Sequence, residues 1–251
     1  MGDSVRGGFA GLTGFDRPVR AVVIGAGGGI GSAVTRLLLA DPGVAEVLAF
    51  ARRRLESAPK LQTGILDLAD EGTIAVAAEA AGTVDLVFVA TGLLHGDGIQ
   101  PEKSWRSLDP QAMATLFQVN AIGPALVAKH LLPRLPRRGR SVFAAISAKV
   151  GSIGDNRLGG WYGYRAAKAA LNQIVRTASI ELARTRPDAL CVALHPGTVD
   201  TDLSKPFQAG VADGRLFPPE VSAAHLLTVL NGLTPADSGG LFAWNGERLP
   251  Y

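Results

Sequence analysis

Tyr164 and Lys168 stand four residues apart in Trp161-Tyr162-Gly163-Tyr164-Arg165-Ala166-Ala167-Lys168. On a helix that spacing puts both side chains on one face. A free phenol titrates at about 10 and is a poor base at neutral pH. A neighbouring ammonium favours the phenolate and draws that value down. Such a tyrosine could give its proton to a carbonyl oxygen during reduction, or take the hydroxyl proton of an alcohol during oxidation. An isolated pair at this spacing is also common on amphipathic surfaces, so its weight depends on what accompanies it.

A second feature lies near the start of the chain. Val22-Val23-Ile24-Gly25-Ala26-Gly27-Gly28-Gly29-Ile30-Gly31-Ser32 joins a β-branched run to a helical one. Gly25, Gly29 and Gly31 have the G-x-x-x-G-x-G spacing. Glycines there allow a tight turn, close approach of backbone N–H groups to a pyrophosphate, and close helix–strand packing. With Ile30 and Gly31 opening the helix, its free N–H groups would face the phosphates. A nicotinamide dinucleotide is the expected ligand. The next strand runs into Arg52-Arg53-Arg54 with no carboxylate at its end, and Glu46 lies at the opposite end. A guanidinium suits a ribose 2′-phosphate, so Arg52 and Arg53 favour NADP(H) over NAD(H).

The elements that must position these groups alternate regularly. Strand-like runs are expected at 19–25, 46–51, 61–66, 84–90, 141–147, 190–195 and 241–244. Helices are expected at 30–40, 73–81, 110–132, 164–184 and 218–230, with the third bent at Gly123-Pro124. Continuous apolar strands separated by helices predict one α/β domain of the Rossmann type. It would be a doubly wound parallel sheet of about seven strands with helices on both faces, over 19–251. Met1 to Pro18, rich in glycine, reads as a flexible tail. No linker or repeat divides the chain.

The ordered set of motifs makes an identification. After the glycine turn come Asn120 in Phe117-Gln118-Val119-Asn120-Ala121, Ser147 in Ile146-Ser147-Ala148-Lys149-Val150-Gly151, the Tyr-x-x-x-Lys pair, and Pro196-Gly197-Thr198-Val199-Asp200-Thr201. From about Val19 to Tyr251 the chain resembles the short-chain dehydrogenase/reductase family. Gly159-Gly160-Trp161-Tyr162 and the ending Trp244-Asn245-Gly246-Glu247 resemble its C-factor-like and sniffer-like carbonyl reductase branch. The resemblance implies Asn120, Ser147, Tyr164 and Lys168 as catalytic residues, with Asn120 holding a water in the proton relay and Lys168 also on the nicotinamide ribose. It implies Asp67 and Leu68 beside the adenine, backbone contacts from Ala90, Thr91 and Gly92, and nicotinamide contacts from Pro196, Gly197, Val199 and Thr201. It implies a small carbonyl or alcohol substrate and, by family habit, a homodimer or homotetramer.

The chain departs from the family pattern in three places. Val89 and Ala90 replace two customary asparagines, Ile24 stands where threonine is common, and Ala148 occupies the place of the usual substrate-orienting serine. Adjacent side chains on a strand face opposite ways. Ser147 reaches the substrate only if the strand end bends; otherwise Ser152 or a water must serve. Ser147 is expected to do it, as the hydroxyl at the strand end. These departures keep open a second function, a cofactor-binding regulatory or signalling protein with little turnover.

Composition excludes other classes. Net charge is +3 over 251 residues, with basic residues scattered apart from 52–54 and 134–140, which speaks against nucleic acid. A single cysteine, Cys191, permits no internal disulfide and no cysteine-rich metal site. The four histidines lack ligand spacing, so no metal is expected. No run reaches the length of a membrane span, and a cytoplasmic location is the default expectation.

Overall fold

The computed structural model describes residues 9–96 and 98–251. Its strands are β1 Val19–Ile24, β2 Val44–Ala51, β3 Leu61–Ile65, β4 Leu86–Val89, β5 Ser141–Ile146, β6 Ala189–His195, β7 Thr198–Val199, β8 Leu216–Phe217, β9 Leu241–Ala243 and β10 Arg248–Leu249. The α-helices are α1 Gly29–Ala40, α2 Glu71–Ala81, α3 Pro110–Phe117, α4 Gly123–Leu131, α5 Tyr162–Ala183 and α6 Pro219–Gly232. Eight strands form the main sheet in the order β10-β9-β6-β5-β4-β1-β2-β3. Seven run parallel, as expected, and β10 adds an antiparallel edge. The strand order reverses between β1 and β4, and the crevice beyond their carboxyl ends is where such sheets bind ligands. A separate two-stranded ladder, β7 with β8, was not legible in the sequence.

The central strands are buried on both faces, which is why they read as unbroken apolar runs. One core layer joins Val22, Leu48, Val87, Phe143 and Cys191 to α2, α4 and α5. The other joins Val23, Val47, Phe88, Val142 and Leu194 to α1 and α6. Phe88 and Phe143 are fully buried on opposite faces. Truncation of either to alanine would remove about 3–5 kcal/mol.

Residues 9–18 correct the expectation of a flexible tail. Phe9, Leu12 and Phe15 pack against the core layer under α1 and α6. The Leu12 N–H donates to Asp41 Oδ2 at 2.6 Å, and Asn231 Nδ2 donates to Gly11 O at 2.7 Å. Arg17 donates through Nε (3.0 Å) and Nη2 to the buried carboxylate of Asp85. Three apolar side chains at intervals of three supply burial that the glycine-rich composition hid. Residues 1–8 of the expected tail lie outside the described residues. No helix among the described residues is long and apolar enough to cross a membrane.

Candidate active site

The glycine turn is built as the spacing required. Gly25 follows β1 with φ 86°, a left-handed conformation that favours glycine, and a Cβ placed there would stand 2.9 Å from Ala90 O. On Gly31 a Cβ would meet Gly25 O at 2.2 Å, so the first turn of α1 lies directly on the loop. That helix has no side chain capping its N-terminus, whereas Asp70 caps α2 and Asp109 caps α3. Gly29 lies against Thr201, whose Cγ2 would be 2.6 Å from a Cβ. Contact between Gly29 and Thr201 brings the Pro196-Gly197 loop over the turn, with Gly197 at φ 77° and Val199 buried in β7. Ile30 packs on the core beneath.

The arrangement fits a dinucleotide: a cradle that any Cβ would fill, an uncapped helix N-terminus, and a buried Thr91 Oγ1 with no hydrogen-bond partner among the described residues. Around it, Arg53 leans back on the turn, its Nη2 3.4 Å from Gly27 O. Arg52 is exposed and has no such contact. The Asp67 carboxylate accepts the Ala69 N–H at 2.9 Å, and Leu68 O accepts from Gln118 Nε2 at 2.8 Å. Asp67 and Leu68 thereby border the same end of the sheet.

Asn120 sits in a π-helical turn, Gln118–Ile122, between α3 and α4. The single long helix expected over 110–132 is interrupted there, just before Gly123-Pro124. Such turns widen the helix and occur often at functional positions. The Asn120 side chain is fully buried and works as a two-way clamp. Its Nδ2 donates to Leu93 O (2.8 Å) and Leu116 O (2.9 Å), while its Oδ1 accepts the Leu93 N–H (3.1 Å). The clamp fixes the loop Ala90-Thr91-Gly92 that leaves β4. A Cβ placed on Gly92 would stand 3.6 Å from Asn120 Oδ1 and 3.8 Å from Lys168 Nζ. Two of the expected catalytic groups therefore converge beside the turn.

Lys168 is 1% exposed and donates to Ile146 O at 2.9 Å. Its Nζ lies 5.8 Å from the centre of the Tyr164 ring. Burial pushes Lys168 down to about 7 and pushes Tyr164 up. The direction for Tyr164 is opposite to the one expected from a neighbouring ammonium. Burial dominates in the chain by itself, because it discharges the lysine and disfavours the phenolate together. The phenol is therefore held protonated.

Ser147 bonds Asn172 through its hydroxyl, rather than Tyr164 or Lys168. Its Oγ donates to Asn172 Oδ1 at 2.7 Å, and the side chain is 1% exposed beneath α5. Strand alternation continues to the end of β5, and it is half-buried Ala148 that points the other way. Ser152 is sealed as well, and its Oγ accepts the Asp155 N–H. We expect Ser147→Ala to leave turnover within about threefold and to lower stability by about 1 kcal/mol, the net worth of one hydrogen bond. Ala148→Ser is expected to raise turnover severalfold. Steady-state rates beside melting curves distinguish the two; a Ser147→Ala variant that loses its activity at unchanged stability would reverse the assignment.

Trp161 could be read from the sequence as either a lining or a packing residue, but the wall it forms with Phe207 and His95 beside Tyr164 could not. Trp161 stacks edge-on to Tyr164 at 6.3 Å and to Phe207 at 5.0 Å, and His95 meets Phe207 at 5.6 Å. Phe207 belongs to a short 3₁₀ turn, Lys205–Gly210, in a stretch that carried no visible motif. His195, His225 and the cysteine are packing residues, and burial lowers His195 to about 4 and raises Cys191 to about 12, whereas His130 Nε2 meets Glu71 Oε1 at 2.8 Å. No cluster of metal-ligating side chains occurs among the described residues.

Residues 20–212 match the family model described as short chain dehydrogenase. A 1-hydroxy-2-glutathionyl-2-methyl-3-butene dehydrogenase from Rhodococcus is 30% identical over 235 residues, 92% of this chain and 98% of that one. The C-signal protein of Myxococcus xanthus is 38% identical over 145 residues, 57% of this chain and 81% of its own. Among solved structures, the NADPH-bound carbonyl reductase from chicken fatty liver superposes with a TM-score of 0.82 at 26% identity, over 96% of this chain and 100% of that one. The carbonyl reductase Sniffer of D. melanogaster shares the fold, with a TM-score of 0.80 at 21% identity over 94% of this chain and 100% of that one.

Proposed function

The chain belongs to the short-chain dehydrogenase family, and within it we propose that the protein reduces an aldehyde or ketone with NADPH, Tyr164 supplying the proton. The observation that carries this reading is the meeting of Lys168 Nζ and Asn120 Oδ1 around Gly92, beside the glycine cradle and beneath the Tyr164 ring. Bound in that cradle, a reduced nicotinamide would supply hydride to the carbonyl carbon. The pyrophosphate would lie on the N–H groups at Gly29 to Gly31, and the ribose near Thr91 and Lys168. Tyr164, kept protonated by burial, donates to the carbonyl oxygen as negative charge develops there. Lys168 orients the ring and approaches the phenolate that remains. Trp161 and Phe207 shield the reacting carbonyl from water. NADPH consumption with a panel of aldehydes, ketones and diketones tests the activity; no oxidation with any of them would count against it.

Arg53 is the residue proposed to read the 2′-phosphate, since it already lies against the turn. Arg53→Ala should weaken NADPH roughly 10-fold and leave NADH unchanged, the effect of one exposed charge-assisted bond of about 1.5 kcal/mol. Arg52→Ala should do less. Fluorescence titration with both dinucleotides reads this directly, and equal affinities in the wild type would remove the argument.

A second reading, a cofactor-binding regulatory protein with little turnover, is favoured by one feature. Ser147 is spent on Asn172, and Ala148 offers the substrate no hydroxyl. The two readings separate on turnover: the second predicts dinucleotide binding with no substrate consumed.

A further inference from the structure

The active-site helix α5 starts without a side-chain cap of its own. Its N-cap residue, Trp161, is left-handed at φ 52°, and so are Gly159 at 64° and Gly160 at 66° before it. Three successive left-handed residues swing the chain into the helix sideways and leave its first N–H groups without a local partner. The partner comes from 61 residues upstream. Both carboxylate oxygens of Glu102 accept the Gly163 N–H, each at 3.2 Å, and its carbonyl oxygen accepts the Trp161 N–H. Glu102 is 4% exposed and enters no ion pair among the described residues. Its charge is instead set against the positive end of a 22-residue helix. The packing is close: a Cβ on Gly163 would lie 2.9 Å from Glu102 Oε1 and 2.7 Å from Leu116 Cδ1.

We propose that Glu102 is a positioning residue for Tyr164. It clamps the left-handed turn with its backbone and the first turn of α5 with its side chain. Tyr164 follows the clamped Gly163 directly, so the direction of the phenol is fixed by a segment 61 residues upstream. A helix start free to fray would displace the hydroxyl by an ångström or so, and such misplacement costs on the order of 10²-fold in rate. The inference rests on Tyr164 being the proton donor.

Two variants separate acceptor from charge. Glu102→Met keeps the volume and deletes the acceptor; Glu102→Gln keeps an acceptor and deletes the charge. The Met variant is expected to lose roughly 100-fold in kcat, with the Kd for NADPH within twofold of wild type. The Gln variant is expected to stay within threefold in kcat. Placed in a Tyr164→Phe background, Glu102→Met should add less than threefold, because there is no longer a proton donor to misplace. In the wild type, amide exchange at Gly163 should be slow, unlike an ordinary first-turn N–H. An unchanged kcat in the Met variant, a full loss in both backgrounds, a Gln variant as impaired as Met, or rapid Gly163 exchange would each overturn the clamp. If Glu102→Met does not fold, the Gln variant and the exchange rate decide. A Tyr164→Phe variant with full activity would instead overturn the donor reading, and Gly163 exchange alone would then judge the clamp.

Discussion

Tyr164→Phe is expected to bind NADPH with unchanged affinity and to reduce its substrate about 10²–10⁴-fold more slowly, the usual worth of a placed proton donor. The substitution retains the ring that stacks on Trp161 and approaches Lys168, and removes only the hydroxyl. Fold and cradle should be untouched, because the hydroxyl makes no hydrogen bond to the protein among the described residues. Because burial raises the phenol, reduction in the wild type should not fall for want of the Tyr164 proton anywhere between pH 6 and 9. Turnover of the Phe variant equal to wild type would exclude Tyr164 as the acid. A loss confined to cofactor affinity would reassign it to binding.

The second large effect concerns Lys168, where function and stability pull apart. Lys168→Met should lower kcat by about 10²–10³-fold, a magnitude typical of removing one preorganised polar group from a reaction centre. The same change should stabilise the cofactor-free protein at neutral pH. In the folded chain Lys168 titrates at about 7, against about 10.4 in an unfolded one. The folded state thus binds fewer protons between those values, and wild-type stability rises with pH across that window. At and below pH 7 the burial of this amine costs on the order of 3–5 kcal/mol. Methionine removes that cost but leaves Ile146 O without its donor, which returns about 1–3 kcal/mol. The variant should therefore melt a few degrees higher at pH 7, and the difference should shrink and reverse towards pH 10. Calorimetry at the two pH values checks the sign; a variant that melts lower than wild type at pH 7 would refute the account.

Features written in local spacing were legible in the sequence. The glycine turn, the Tyr164/Lys168 face and the seven parallel strands each depend on residues close in the chain, so periodicity and turn chemistry expose them. What could not be read depends on pairs formed only after folding. Glu102 looks like any surface glutamate, and nothing in its neighbourhood announces an N–H waiting 61 residues later. Ser147 reads as the free hydroxyl at a strand end, and only the fold brings it to Asn172, one turn beyond Lys168 on α5. The π-turn at Asn120, just before Gly123-Pro124, could not be read, since the clamp to Leu93 is available only once β4 is in place. Phe9, Leu12 and Phe15 did carry a signal, an apolar period of three, obscured by the glycines between them.

The aromatic wall has a consequence for how this scaffold could be re-engineered. Helix α5 is bolted to β5 by Lys168 and Ser147, and to the segment before α3 by Glu102. The 3₁₀ turn that carries Phe207 contributes no buried side chain. Selection for new substrates can therefore work on residues 205–214 and on His95, leaving in place Leu203, which packs on Gly92, and Ser204, which bonds Val199. Mutational tolerance should be high there and low along α5, so libraries confined to that rim would explore specificity while the proton-transfer machinery stays fixed.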